Sequence, residues 1–107
     1  MIFLMVSAPN GKYATLKTVM KVLVLYRPNS EHGRVVEDFI HEFQSQHRDE
    51  RLEVLNIDSR DGSAMASLYD VVRYPAILVL QTDGYLQKSW EGDRLPLMDE
   101  VVSYAHA

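Results

Sequence analysis

The run KVLVLY, residues 21–26, limits the folds open to this chain more than any other segment. Its apolar residues are continuous rather than alternating, which is typical of a β-strand covered on both faces. The run YPAILVL, residues 74–80, has the same character and begins with a proline. Strands that are covered twice need helices on both sides of one sheet, so the sequence predicts an α/β domain.

Apolar residues at three- and four-residue spacing predict three helices, over residues 31–46, 62–72 and 96–105. Ser30 is the expected N-cap of the first helix, and Pro96 is suited to the first position of the last one. The apolar stripe of the first helix consists of Val35, Val36, Phe39, Ile40 and Phe43.

Two further strands are predicted, at 52–57 and at 85–90, the latter antiparallel to the strand before it because Asp83-Gly84 marks a tight hairpin turn. The element order is therefore β-α-β-α-β-β-α, in one four-stranded mixed sheet. A right-handed crossover places strand 52–57 beside strand 21–26. The third strand is expected on the other side, with its hairpin partner outside it. The first and last helices should cover one face of the sheet and the middle helix the other.

Residues 1–20 precede the first strand of this pattern. Their apolar run MIFLMV is too short to span a bilayer and lacks the positive flank of a secretory signal. We expect residues 1–20 to be loosely attached or a weak edge strand, residues 21–107 to form the domain, and the protein to be cytoplasmic. The net charge of −4 gives no electrostatic reason to bind nucleic acid or an anionic membrane.

The chain has no cysteine, which excludes disulfides, thiolate nucleophiles and cysteine metal sites. The four histidines do not include a pair spaced to share one helical face, so we predict no metal site and no cofactor.

Several segments, in the right order, resemble the thioredoxin family. KVLVLY is similar to the central strand that leads to the family's active site, and LNID at 55–58 to one of its strand ends. LYDVVRYP at 68–75 is similar to a short helix that ends near a tyrosine, before a residue-proline pair. Asp83-Gly84 and Glu91-Gly92 stand where the family has its hairpin and a glycine before the final helix. The resemblance covers residues 21–105 and implies the minimal thioredoxin-like fold, with helices on both faces.

The chain departs from that family at its active-site motif. Glu31-His32-Gly33-Arg34 stands where the family has Cys-Gly-Pro-Cys, and a one-residue shift would instead put Ser30 at the nucleophilic position. Both alignments lack the two sulfurs, and Leu25 replaces the buried carboxylate that serves proton transfer in the family. Thiol–disulfide exchange needs a thiolate and a sulfur leaving group. The sequence therefore excludes that activity and predicts a protein that is not an enzyme.

The resemblance implies that the Tyr74-Pro75 bond is cis and exposes the backbone of Tyr74, which would pair with an extended peptide or with glutathione. The ring of Tyr74 would then offer an exposed edge beside the turn. We predict a non-catalytic binding module for a protein or an extended peptide, and a small thiol is a further candidate ligand. The predicted site residues are Ser30, Glu31, His32, Arg34, Tyr74 and Pro75.

Two other functions stay open. In a transferase-like protein, Ser30 would orient the thiol of glutathione or meet another anion, although transferases of this fold carry a second, helical domain for substrate. In a structural or oligomerisation domain, an exposed edge strand would pair with a second copy. The plainer interpretations are that Ser30 only caps a helix and that Glu31, His32 and Arg34 form a solvated first turn.

Overall fold

A computed structural model describes residues 5–7, 13–15, 20–92 and 94–105. The elements in chain order are β1 (Met5–Ser7), β2 (Tyr13–Thr15), β3 (Lys21–Tyr26), α1 (Gly33–Gln46), β4 (Arg51–Asn56), α2 (Arg60–Leu68), β5 (Ala76–Leu80), β6 (Leu86–Glu91) and α3 (Met98–Ala105).

Four of the strands form one mixed sheet in the order β4-β3-β5-β6. Strand β3 pairs in parallel with β4 and antiparallel with β5, and β6 pairs antiparallel with β5. The sequence predicted this sheet and this order, and the structure confirms both.

Strand β3 is buried on both faces because its side chains alternate between two cores. Val22 and Val24 belong to the core under α1 and α3, whereas Leu23 and Leu25 belong to the core under α2. All four are 0% exposed. Each such side chain stabilises the fold by about 1.5–3 kcal/mol relative to an exposed one. The predicted division of the helices between the two faces is therefore confirmed.

Helix α1 begins two residues later than predicted, and Ser30 is not its N-cap. The N-cap is His32, whose side chain makes no capping bond. The hydroxyl of Ser30 instead donates to the carbonyl of Arg27 at 2.6 Å, which closes a tight turn before the helix. The buried stripe of α1 excludes Val35, which is 57% exposed.

Helix α2 begins at Arg60, earlier than predicted, because Ser59 caps it by accepting a hydrogen bond from the N–H of Gly62 at 3.0 Å. It ends at Leu68, and Asp70 then adopts a left-handed conformation with φ of 56°. Aspartate tolerates that conformation better than most residues.

Helix α3 begins at Met98, so Pro96 precedes the helix instead of opening it. Trp90 packs beneath this helix, edge to face with Tyr104 at a ring-centroid distance of 5.6 Å. The nitrogen of Lys88 lies 5.9 Å and 5.5 Å from the two ring centroids.

The short strands β1 and β2 pair with each other as a separate antiparallel sheet. The rest of the N-terminal segment, residues 1–4, 8–12 and 16–19, lies outside the described residues, so the attachment of residues 1–20 stays a prediction. Within the described ranges, no helix has the length and apolar character needed to cross a bilayer.

Gly62→Ala tests the packing of α2 against β4. A Cβ at position 62 would overlap the carbonyl oxygen of Asn56, which is backbone and cannot turn away. Alanine is favoured over glycine in a helix by about 1 kcal/mol, but overpacking costs about 1–3 kcal/mol. Because the overlap is with backbone, we expect a cost near the top of that range and a net loss in the free energy of unfolding of about 2 kcal/mol, measured in urea.

The control is Ser63→Ala on the exposed face of the same helix, which should change stability by less than about 0.5 kcal/mol. Equal stability of the two variants would contradict the close packing of Gly62.

Candidate functional site

The candidate site lies at the end of the sheet where β3 finishes and β5 begins. Leu25 pairs with Ala76, so the antiparallel register brings the segment after β3 next to the segment before β5. We call these segments the β3–α1 turn, residues 27–33, and the Pro75 loop, residues 71–75.

The β3–α1 turn is held by its own hydrogen bonds. The N–H of Ser30 donates to the carbonyl of Arg27 at 3.2 Å, and the N–H of Gly33 donates to the carbonyl of Ser30 at 3.1 Å. A Cβ at Gly33 would overlap the carbonyl oxygen of Pro28. Position 33 therefore accepts only glycine in this backbone, and a proline there, as in Cys-Gly-Pro-Cys, would force the turn to move.

His32 is part of the same turn. Its Nε2 accepts a hydrogen bond from the backbone N–H of Arg27 at 3.2 Å. That nitrogen is thus already engaged inside the turn. By contrast, the side chains of Glu31 and Arg34 are exposed and form no hydrogen bond or ion pair with other residues that the structure describes.

Arg27 and Asp58 join the turn to the end of β4. The guanidinium donates two hydrogen bonds to the carboxylate, Nε to Oδ2 at 2.9 Å and Nη2 to Oδ1 at 3.0 Å. The side chains are 52% and 58% exposed. The hydrogen bond from Arg27 holds the pKa of Asp58 below its ordinary value, and the bond to Asp58 raises the pKa of Arg27. The phenol of Tyr74 also contributes, more weakly, to the raised pKa of Arg27.

The Pro75 loop is fixed from the side of β6. The Tyr74-Pro75 peptide bond is cis, and the ring of Pro75 is fully buried. The carbonyl of Pro75 accepts a hydrogen bond from the N–H of Gly92 at 2.9 Å. Glu91 holds the preceding residues, since its Oε1 accepts from the N–H of Val72 at 3.0 Å and from the N–H of Arg73 at 3.4 Å.

Tyr74 differs from its neighbours because its backbone is open. Its side chain is partly buried against the α2-side core, and its hydroxyl donates to the carbonyl of Val71 at 3.2 Å. The ring is therefore less exposed than the sequence suggested. The backbone N–H and C=O of Tyr74, however, have no hydrogen-bond partner among the described residues. Val72, two residues away, is 79% exposed.

No protein-family model matches the sequence, and no curated protein matches it. Several solved structures do match. Oxidized thioredoxin O2 of Arabidopsis thaliana gives a TM-score of 0.62 at 15% identity, over 80% of this chain and 71% of the other. Oxidised thioredoxin of Plasmodium falciparum gives 0.67 at 10% identity, over 84% of each chain. A chain in the complex of ferredoxin:thioredoxin reductase and thioredoxin f2 gives 0.61 at 17% identity, over 78% and 72%.

The chain has a thioredoxin-like fold. At these identities the likeness establishes the fold alone. It agrees with the resemblance drawn from the motifs between residues 21 and 105.

The structure of this thioredoxin-like chain brings only some of the predicted site residues into contact. Ser30 and His32 both bond to the backbone of Arg27. No hydrogen bond joins Tyr74 to Ser30 or His32 within the described ranges. Nor do those ranges hold a group of three or more histidine, aspartate and glutamate residues placed to bind a metal ion.

Sequence reasoning missed three residues that organise the site. Arg27 and Asp58 are 31 positions apart, and each alone looks like an ordinary loop charge. The predicted parallel pairing of the two strands was the one indication that these residues lie close together, since it puts the C-terminal ends of both strands at the same end of the sheet. No sequence pattern indicates the role of Glu91, because its carboxylate accepts hydrogen bonds from backbone N–H groups that are far away in the sequence.

Asp58→Asn tests the ion pair through pH. Because the pKa of Asp58 is lowered in the folded state, its contribution to stability is fully present above the ordinary aspartate pKa of about 3.9 and is lost as pH falls through the lower, folded value. We expect wild type to be more stable than Asp58→Asn in urea at pH 6 and to lose that advantage towards pH 2.5.

Asp49→Asn is the control, because Asp49 is an exposed aspartate in the loop between α1 and β4. Its stability difference from wild type should vary less with pH. A difference for Asp58→Asn that stays constant from pH 6 to pH 2.5 would contradict the role of the pair.

Proposed function

We propose that this chain is a non-catalytic binding module that takes up an extended segment of a partner protein at the Pro75 loop. One observation carries the proposal: the backbone N–H and C=O of Tyr74 are unpaired within the described residues, whereas the loop around them is fixed. Extended peptides bind to such groups by strand pairing, in which main-chain hydrogen bonds supply affinity.

The loop is suited to this role because it is held before a partner arrives. Glu91 occupies the amides of Val72 and Arg73, and Gly92 occupies the carbonyl of Pro75. Among the described residues of the loop, Tyr74 is the one whose backbone N–H and C=O are both unpaired. A group held in place loses little conformational entropy on binding, and this favours affinity.

The surroundings of Tyr74 favour a partner segment that contains both apolar and polar side chains. Val72 is 79% exposed and offers an apolar contact to one side chain of the partner. Arg27 and Asp58 offer a donor and an acceptor at the other side of the site. We infer that the preferred segment carries an apolar residue flanked by polar ones, because side chains beside the paired backbone supply specificity.

The residues present support binding without thiol–disulfide exchange. The chain contains no cysteine, so it cannot form the mixed disulfide of thiol exchange. A solved structure of the same fold includes a complex of ferredoxin:thioredoxin reductase and thioredoxin f2, in which such a domain meets a protein partner. A protein partner and a cytoplasmic location complete the proposal for this chain.

The transferase-like alternative is weaker. The hydroxyl of Ser30 donates its proton to the carbonyl of Arg27 at 2.6 Å, so it would have to break that bond before donating to a ligand thiolate. Pairing between copies is favoured by the outer edges of β4 and β6, which have no strand partner among the described residues. A monomer in light scattering at high concentration would count against it.

Peptides selected from a random displayed library on the folded chain test the proposal. Tyr74→Glu places a charge at the site, and we expect it to weaken binding of the selected peptides about tenfold or more, which corresponds to about 1.4 kcal/mol. Affinity is measured by calorimetry, and folding of each variant is checked by circular dichroism.

The matched control is Tyr85→Glu, the same substitution at a 70% exposed tyrosine beyond the opposite end of β5. It should bind as wild type does. Equal binding by Tyr74→Glu and wild type would place the recognition surface elsewhere.

A further inference from the structure

A cavity of about 270 Å³ lies at the end of the sheet opposite the Pro75 loop. Lys21 and Arg51, the first residues of β3 and β4, line it together with Leu80, the last residue of β5. Met65 of helix α2 also lines the cavity, as does Tyr69, the residue that directly follows this helix. The remaining lining residues are Gln81, Thr82 and Gly84.

Two positively charged residues lie side by side at this cavity. Lys21 and Arg51 are direct partners in the parallel register of β3 and β4. Neighbouring strands lie about 4.8 Å apart, and like charges placed opposite each other destabilise a sheet. The chain as a whole carries a net charge of −4, yet none of the described residues that line the cavity is acidic.

Among the residues that the structure describes, an acidic partner is found for Lys21 but not for Arg51. Glu53 Oε1 lies 3.6 Å from the Nζ of Lys21. Arg51 is exposed and has no ion-pair partner among the described residues. The charges of Lys21, Glu53 and Arg51 sum to +1, and the unbalanced charge lies on the guanidinium of Arg51. The N–H donors of a guanidinium match the two oxygens of a carboxylate.

The walls of the cavity are held by hydrogen bonds. The hydroxyl of Tyr69 donates to the carbonyl of Gly84 at 2.6 Å, which ties α2 to the turn between β5 and β6. The side chain of Gln81 donates to that of Gln87 at 2.7 Å. Met65 and Leu80 add apolar surface. The site is thus largely formed before a ligand binds, as is usual for small-molecule pockets.

We propose that this cavity binds a small organic carboxylate. Arg51 pairs with the carboxylate, Lys21 adds a second donor, and the short hydrocarbon part of the ligand lies against Met65 and Leu80. A single negative charge matches the one positive charge left after Glu53 is counted, so a carboxylate fits better than a phosphate dianion. The volume is just below the range of about 300–1,000 Å³ for drug-sized ligands, so the ligand is smaller than those.

Titration of the full chain with butyrate, followed by amide chemical shifts, tests this proposal. Butyrate should give saturable shifts at residues 21, 51 and 80–84, and butyramide, its uncharged analogue, should not. Arg51→Gln should weaken butyrate binding about tenfold, as expected for loss of a charge-assisted hydrogen bond. Arg48→Gln, which removes a nearby exposed cation outside the cavity lining, should bind as wild type does.

Several results would overturn the proposal: no saturable shifts, equal shifts with butyramide, wild-type affinity in Arg51→Gln, or tighter binding of inorganic phosphate than of butyrate. If Arg51→Gln fails to fold, Lys21→Gln provides the same comparison with butyrate. Neither variant involves Tyr74, so the outcome is independent of the peptide site.

Discussion

Burial of β3 on both faces is the constraint on which the rest of the structure depends. Its side chains alternate between the core under α1 and α3 and the core under α2, so the strand can neither shift by one residue nor turn over. Its neighbours β4 and β5 are thereby fixed in register. The C-terminal end of β3 leads into the β3–α1 turn. The first residue of β3, Lys21, lines the cavity at the opposite end of the sheet. Both the peptide site and the cavity are thus positioned by β3, a strand whose residues 22–25 are all apolar.

The parts of the fold that depend on local pattern could be predicted from the sequence. Continuous apolar runs marked β3 and β5, and Asp83-Gly84 marked the hairpin, where Gly84 has φ of 91°. The pattern of the first helix was less exact. Ser30 has the chemistry of an N-cap, but its hydroxyl donates to the carbonyl of Arg27 in the turn before the helix, and the N-cap of α1 is His32 instead.

The candidate site was less predictable because long-range contacts organise it. The Arg27–Asp58 pair and the bonds from Val72 and Arg73 to Glu91 join residues that are far apart in sequence. The backbone N–H and C=O of Tyr74 are open because Glu91 and Gly92 bond to neighbouring backbone groups of the loop and not to Tyr74. A sequence pattern can suggest that a position is exposed, but only the assembled structure reveals which amides and carbonyls are already occupied. The site therefore rests on backbone geometry more than on the side chains of Ser30, Glu31, His32 and Arg34.

The fold keeps a defined surface at the Pro75 loop although the chain has no cysteine with which to do thiol chemistry there. Amide hydrogen exchange at Tyr74, in the free chain and in the chain saturated with a selected peptide, tests this account most directly. Exchange at Tyr74 should slow at least about tenfold on binding. The amide of Gly84, bonded to the carbonyl of Gln81 at the opposite end of β5, should change little and serves as the internal reference. Unchanged exchange at Tyr74 in the saturated complex would show that its backbone does not pair with the ligand, and would contradict strand pairing at the Pro75 loop.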